Sequence, residues 1–132
     1  MSSSRLYRDI GFAKVDLLRK RRRGFPEIVY AKGKTAEQVI RIAETLRENG
    51  NPVLITKVSS SSMAQRVLRV LPWMRYFPKA KILAGPSRGR RLRSRPRRAK
   101  VLIVSAGTSD IPVAEEAAVT AEWMGRSVDR LL

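Results

Sequence analysis

The apolar positions between residues 25 and 84 change period several times, and each change marks an expected element. Ile28-Val29-Tyr30 is a short β-prone run, followed by the turn-like Lys32-Gly33-Lys34. Thr35 and Gln38 then stand at capping-box spacing, and Ala36, Val39, Ile40, Ala43 and Leu46 form a helical stripe that Gly50 and Pro52 end. A helix from about Ala36 to Asn49 is predicted, with Glu37 and Arg41 as an i,i+4 pair. Val53 to Val58 reads as a mostly apolar, β-branched strand, and Ser59 to Ser62 as a polar break. Ser62 and Gln65 repeat the capping-box spacing, predicting a shorter helix to about Leu71, stopped by Pro72. Lys81 to Ala84 completes the series as a further strand. Alternating strands and helices of this kind predict a small α/β domain over residues 25–84.

The flanks have a different pattern. Residues 1–24 form a basic arm whose Ile10, Val15, Leu17 and Leu18 give a weak stripe compatible with a helix. Residues 85–100 read as an arginine-rich linker. Beyond it, Val101-Leu102-Ile103-Val104 is a continuous apolar run of the kind expected for a parallel strand buried on both faces. A loop of small and hydroxylic residues follows, Ser105 to Asp110, and Pro112 suits the first turn of a helix. Val113, Ala117, Ala118, Ala121 and Met124 line the stripe expected to be buried, Gly125 closes the helix, and Ser127-Val128 opens another strand. One strand and one helix cannot cover both faces of a parallel sheet. Either this unit adds to the sheet of the middle domain, or residues 101–132 are the start of a larger parallel-sheet domain.

Composition narrows the chemistry. The 132 residues contain no cysteine and no histidine. Thiolate and imidazole zinc sites, thiol nucleophiles and Ser-His-Asp triads are therefore excluded within the chain. No run approaches the roughly 20 apolar residues that span a bilayer, and residues 1–9 lack the apolar core of a signal peptide, so a soluble, cytoplasmic protein is expected. The net charge is +17, and it is uneven: residues 101–132 hold two arginines against five carboxylates. The excess lies in Arg19 to Arg23 and in the seven arginines of Arg88 to Arg98. Such runs attract polyanions by counterion release, so nonspecific binding to nucleic acid is the rival functional reading. No nucleic-acid-binding motif accompanies the charge.

The most suggestive local chemistry lies in residues 107–110. A loop at the carboxyl end of a parallel strand is where α/β sheets usually bind ligands. Backbone amides of Gly107, Thr108 and Ser109, two hydroxyls and a helix N-terminus suit a phosphate or carboxylate. Asp110 could accept hydrogen bonds from ribose hydroxyls or could simply cap the helix. No Gly-Lys-Ser or Gly-Lys-Thr follows, so this is not a Walker loop.

Three segments resemble one family. Ala106 to Glu122, AGTSDIPVAEEAAVTAE, is similar to the first βα turn of the pyridinium biscarboxylic acid mononucleotide synthases, the LarB family of nickel-pincer cofactor biosynthesis. Ser109 and Asp110 match the last two positions of the Gly-Ser-x-Ser-Asp loop in related aminoimidazole ribonucleotide (AIR) carboxylase domains. Asp16, Arg19, Arg22, Gly24, Pro26 and Glu27, followed by Gly33-Lys34-Thr35, resemble the family's leading motif, and Tyr76, Pro78, Ala80 and Lys81 its third landmark.

The resemblance implies an α/β fold: a small N-terminal domain, then the first βα unit of an AIR-carboxylase-like, flavodoxin-like parallel-sheet domain. It implies a dinucleotide substrate, nicotinic acid adenine dinucleotide, and CO2 or bicarbonate. The pyridinium ring is carboxylated, and phosphoanhydride hydrolysis releases AMP. No resident cofactor is implied, with Mg2+ the one candidate metal and no metal-ligating set to assign. Gly107, Thr108, Ser109 and Asp110 become the nucleotide-contact candidates. Asp16, Arg19, Arg22, Glu27 and Lys34 either bind substrate or fix the arm structurally, and Thr35 either contacts ligand or caps its helix. In the family a cysteine is thought to attack the ring, and it lies in a later part of the carboxylase-like domain. The chain is accordingly expected to be a fragment, inactive alone, that works as a homo-oligomer or with a complementing C-terminal chain. Trp73, Tyr76 and Phe77 are expected to pack in a core or interface rather than stack on bases.

Overall fold

The computed structural model describes residues 7–12, 14–16, 27–86 and 100–132. The element order begins with two short strands, β1 (Tyr7–Asp9) and β2 (Lys14–Asp16), paired antiparallel. Here the structure corrects the sequence reading, because these parts of the basic arm are a hairpin and not a helix. Ile10 and Val15 explain the difference. Both are buried in the main core, and a hairpin delivers these two apolar side chains there from an otherwise polar segment.

A four-stranded mixed sheet follows, built from β3 (Ile28–Tyr30), β4 (Leu54–Thr56), β5 (Arg75–Phe77) and β6 (Ile82–Ala84) in the order β3-β4-β6-β5. Strands β3 and β4 are parallel, and the helix α1 (Ala36–Glu48) crosses between them. The capping box is formed as predicted, with the amide of Gln38 donating to Thr35 Oγ1 at 3.1 Å and the amide of Thr35 donating to Gln38 Oε1 at 3.0 Å. Helix α2 (Ser61–Val70) starts two residues earlier than the Ser62–Gln65 spacing predicts. Its cap is Ser60, whose Oγ accepts from the Met63 amide at 3.2 Å, while the Ser62 hydroxyl bonds to Ser60. Four successive serines offer several competing caps, and Ser60, with the extended backbone of an N-cap, is the one that takes the role.

Alternation along the strands sorts the side chains onto two faces. Val29, Ile55 and Leu83 point one way and pack with Val39, Ile42 and Leu46 of α1 and Ala64 and Val67 of α2. Leu54, Ile82 and Ala84 point the other way. Each buried aliphatic side chain contributes about 1.5–3 kcal/mol relative to exposure. At one end of the sheet both Lys57 (φ 57°) and Lys81 (φ 54°) adopt left-handed backbone, and the Val58 amide donates to the Lys81 carbonyl at 3.0 Å.

The second sheet face is covered from the C-terminal segment. Strand β7 (Lys100–Val104), a 3-10 turn (Thr108–Asp110), helix α3 (Ile111–Trp123) and strand β8 (Ser127–Leu131) form a βαβ unit with β7 and β8 parallel. It does not extend the first sheet by strand pairing. Instead α3 lays Val119 and Trp123 onto Leu54, Ile82 and Ala84, so the first sheet lies between helices on both faces.

Two expectations about this unit are corrected. Val113, expected on the buried stripe of α3, is 59% exposed, whereas Ala114, Ala118, Val119 and Trp123 are buried. Glu115, Glu116 and Glu122 are interleaved with apolar residues and leave the helix without a distinct polar face, so its orientation is fixed by the docking of Trp123 and not by periodicity. Strand β7 is covered on one face alone. Leu102 and Val104 are 61% and 64% exposed, and Leu131 beside them on β8 is 62% exposed. Among the described residues, α3 is the only helix packed on this strand pair, which leaves the other face open. Among the described residues, no helix is long and apolar enough to cross a membrane.

Candidate functional site

The residues 107–110 lie immediately beyond β7, at its carboxyl end, where the last pair of the parallel ladder is Val104 with Leu131. The chain leaves β7 through Ser105, whose amide donates to the Leu131 carbonyl at 2.9 Å. Gly107 then adopts φ 87° and ψ 155°, a backbone region open essentially to glycine alone. A Cβ there would meet nothing within 4 Å, so the requirement for glycine is conformational and not steric. That kink swings Thr108, Ser109 and Asp110 into one 3-10 turn that runs directly into α3.

All four residues are exposed. Asp110 occupies the N-cap position of α3, but its backbone is in the helical region and its side chain makes no capping hydrogen bond. Of the two roles open in the sequence, capping is thus not realised, and the carboxylate faces solvent. Nearby, the Ser105 Oγ is buried with no hydrogen-bond partner among the described residues. The turn therefore presents two hydroxyls, one carboxylate and its own backbone amides, while the Ile111 amide is already bonded to the Thr108 carbonyl and Pro112 has none to offer. Hydroxyls, amides and carboxylate together suit a phosphate and a sugar diol.

The other sequence candidates are placed differently. Lys34 donates from Nζ to the Tyr30 carbonyl at 2.6 Å, and Thr35 caps α1, so both are engaged in local structure. Glu27 is half-buried just before β3. Arg19, Arg22, the side chain of Asp16 and the arginines of residues 88–98 lie outside the described residues. Among the described residues no group of three or more acidic side chains could hold a metal ion.

A second concave feature was not visible in the sequence. Trp73, Arg75, Phe77, Gly85, Glu122 and Trp123 line a cleft of about 380 Å³ between the β5 edge and the C-terminal end of α3. The Arg75 guanidinium lies 4.7 Å from the Phe77 ring centre, and Arg47 lies 4.1 Å from that of Trp73. Glu122 is held by Arg130, with Nη2 to Oε1 at 2.8 Å and Nη1 to Oε2 at 3.2 Å. The available signal was the same-face spacing of Arg75 and Phe77, but Trp123 joins them only when α3 docks.

Comparison with known proteins places this architecture. A relative from Methanocaldococcus jannaschii, the uncharacterized protein MJ0165, is 37% identical over 116 residues, covering 85% of this chain and 44% of the relative. The chain thus spans less than half the length of the curated relative it matches. The family profile described as LarB/PurE-like N-terminal domain matches residues 7–87, from β1 to just past the end of β6. With more than half of its length matched by that domain, the chain belongs to the LarB/PurE-like family and is thereby related to a family of carboxylases.

Proposed function

We propose that this chain supplies the N-terminal domain and the nucleotide-binding loop of a LarB-type synthase. The reaction is carboxylation of the pyridinium ring of nicotinic acid adenine dinucleotide by CO2 or bicarbonate, with hydrolysis of the phosphoanhydride to release AMP. The observation that carries this reading is the glycine-dependent turn at the end of β7, which leaves the Asp110 carboxylate uncommitted beside the start of α3. In the proposed role, amides and hydroxyls of Thr108 and Ser109 hold a phosphate of the dinucleotide, and Asp110 accepts hydrogen bonds from a ribose diol. Residues 25–84 form the domain that backs α3, and residues 101–132 begin the carboxylase-like domain.

The chain contains no cysteine, so a thiolate addition to the pyridinium ring requires a residue supplied from outside it. Thiolate addition would remove the ring's positive charge and make the neighbouring carbon nucleophilic toward CO2. The isolated chain is therefore a binding component without turnover. Activity requires a homologous carboxylase-like segment that carries the thiol.

The test is calorimetric titration of the chain with nicotinic acid adenine dinucleotide, followed by AMP release on addition of a separately expressed, cysteine-containing carboxylase-like segment from a longer relative. Binding that is lost in Asp110→Ala, and AMP release only in the mixture, are the expected results. Dinucleotide binding unaffected by Asp110→Ala, or its absence in both the chain and the mixture, would overturn the reading.

A further inference from the structure

We propose that the cleft lined by Trp73, Arg75, Phe77, Gly85, Glu122 and Trp123 is a binding site for a planar aromatic anion. Its volume of about 380 Å³ is that of a small-molecule site. Both tryptophans of the chain line it, although aromatic residues make up only 6% of the sequence. Trp73 is half-buried and Trp123 nearly buried, so the two rings offer a firm apolar floor and edges, rather than open faces, to a conjugated ligand.

The charge of the cleft is set by which groups are already engaged. Glu122 is its one carboxylate, and both of its oxygens are occupied by Arg130. Arg75 is exposed on the edge strand β5 and has no carboxylate partner among the described residues. Its guanidinium rests on the Phe77 ring, which fixes the plane of the fork without using its donors. A fork of this kind matches a carboxylate or phosphate by paired hydrogen bonds.

The aromatic wall is also held in place beforehand. Arg47, in the last turn of α1, lies over the Trp73 ring. Gly85 permits the close approach on the cleft side, since a Cβ there would meet Trp73 Cζ3 at 3.0 Å. A ligand entering this site meets walls already positioned, which lowers the ordering cost of binding.

This site is separate from the turn at residues 107–110. The two lie at opposite ends of α3, a 13-residue helix of about 20 Å. Its ligand chemistry could come from an aromatic carboxylate or from a nucleoside monophosphate. Benzoate and AMP distinguish these sources as probes.

Tryptophan fluorescence of the full chain reads the cleft directly, because the chain has no tryptophan elsewhere. The titration is run at an ionic strength that screens the net charge of +17. A saturable change with benzoate, with AMP or with both is expected. Benzamide, which keeps the ring but not the charge, and cyclohexanecarboxylate, which keeps the charge but not the flat ring, should each bind about tenfold more weakly. Arg75→Gln should weaken the aromatic anions by a similar factor, and Arg75→Lys should restore little of it. Far-UV circular dichroism confirms that both variants are folded. Equal affinity for Arg75→Gln and the unaltered chain, or no saturable change with either anion, would overturn the proposal. An AMP signal lost in Asp110→Ala but retained in Arg75→Gln would overturn it as well, and would instead place the nucleotide at the turn.

Discussion

The Lys57 ammonium lies 3.3 Å from the Glu116 carboxylate, joining the end of β4 to the helix that covers the outer face of the sheet. Lys57 reaches it from a left-handed backbone conformation, at φ 57°. Two opposing terms therefore meet at one residue. The pair is partly exposed and contributes at most about 1 kcal/mol, whereas left-handed backbone costs a residue with a Cβ about 1–2 kcal/mol. Lys57→Gly should accordingly leave the denaturation midpoint nearly unchanged. Lys57→Val, which loses the pair and adds a β-branched clash, should lower stability by more than about 1 kcal/mol. Urea unfolding of the two variants beside Glu116→Gln separates the backbone term from the ion pair.

Leu54 and Ile55 are neighbours on β4 that serve different layers. Leu54 packs with Val119 and Trp123 of α3, and Ile55 with the cluster under α1 and α2. Truncating either to alanine should cost about 2–5 kcal/mol if the surrounding core does not collapse. Hydrogen exchange should distinguish them. Leu54→Ala is expected to speed exchange in residues 111–123 first, while Ile55→Ala should loosen residues 36–48 and 61–70. Uniform acceleration in both variants would mean that the layers unfold as one unit.

At Gly107 a methyl group would find open space and an unfavourable backbone. Gly107→Ala should therefore destabilise by about 1–3 kcal/mol or rearrange the turn, and in either case weaken dinucleotide binding. Gly33→Ala supplies the comparison, since its φ of 80° is also positive and its surroundings are also open, yet it lies outside the proposed site. Loss of binding in the first variant alone is the expected outcome, read by titration calorimetry.

Hydrogen bonding to Glu122, opposed by partial burial and reinforced by Glu115, holds the Arg130 guanidinium well above the ordinary arginine range. A raised folded-state value means the contribution is complete below the unfolded value and is lost only as pH rises through the folded one. That window lies beyond ordinary alkaline conditions. The stability difference between the unaltered chain and Arg130→Gln should thus be up to about 1 kcal/mol and constant from neutral to moderately alkaline pH. A difference that shrinks over that interval would contradict the assignment.

Sequence reasoning succeeded where local chemistry was sufficient. Thr35 and Gln38 specify the start of α1 by themselves, and the β-branched run around Leu54 to Thr56 specifies a strand. It failed where the deciding contact is distant. The β1–β2 hairpin is justified by Ile10 and Val15 entering a core made by other segments, and β5 is a three-residue edge strand with only Tyr76 and Phe77 to mark it. The face of α3 differs from the expected stripe because its alanines gather on one side of the helix and mark a stripe there, whereas Val119 and Trp123, on the adjoining side, select the docked face. The same limit applied to the sites. Gly107 is recognisable in a βα turn, but whether Asp110 caps or stays free depends on the backbone angles of the turn. The cleft combines residues from 73 to 123, and no sequence window contains it.

The open face of the β7–β8 pair has a colloidal consequence. Leu102, Val104 and Leu131 form a small adhesive patch, and a chain carrying +17 repels its own copies before such patches can meet. Added salt shortens the range of that repulsion while leaving the apolar attraction intact. Light scattering should therefore show the protein dispersed at low ionic strength and associating as salt is raised. Replacing Leu102 and Val104 with threonine should suppress that association, whereas an association driven by bound polyanions would instead dissolve in salt.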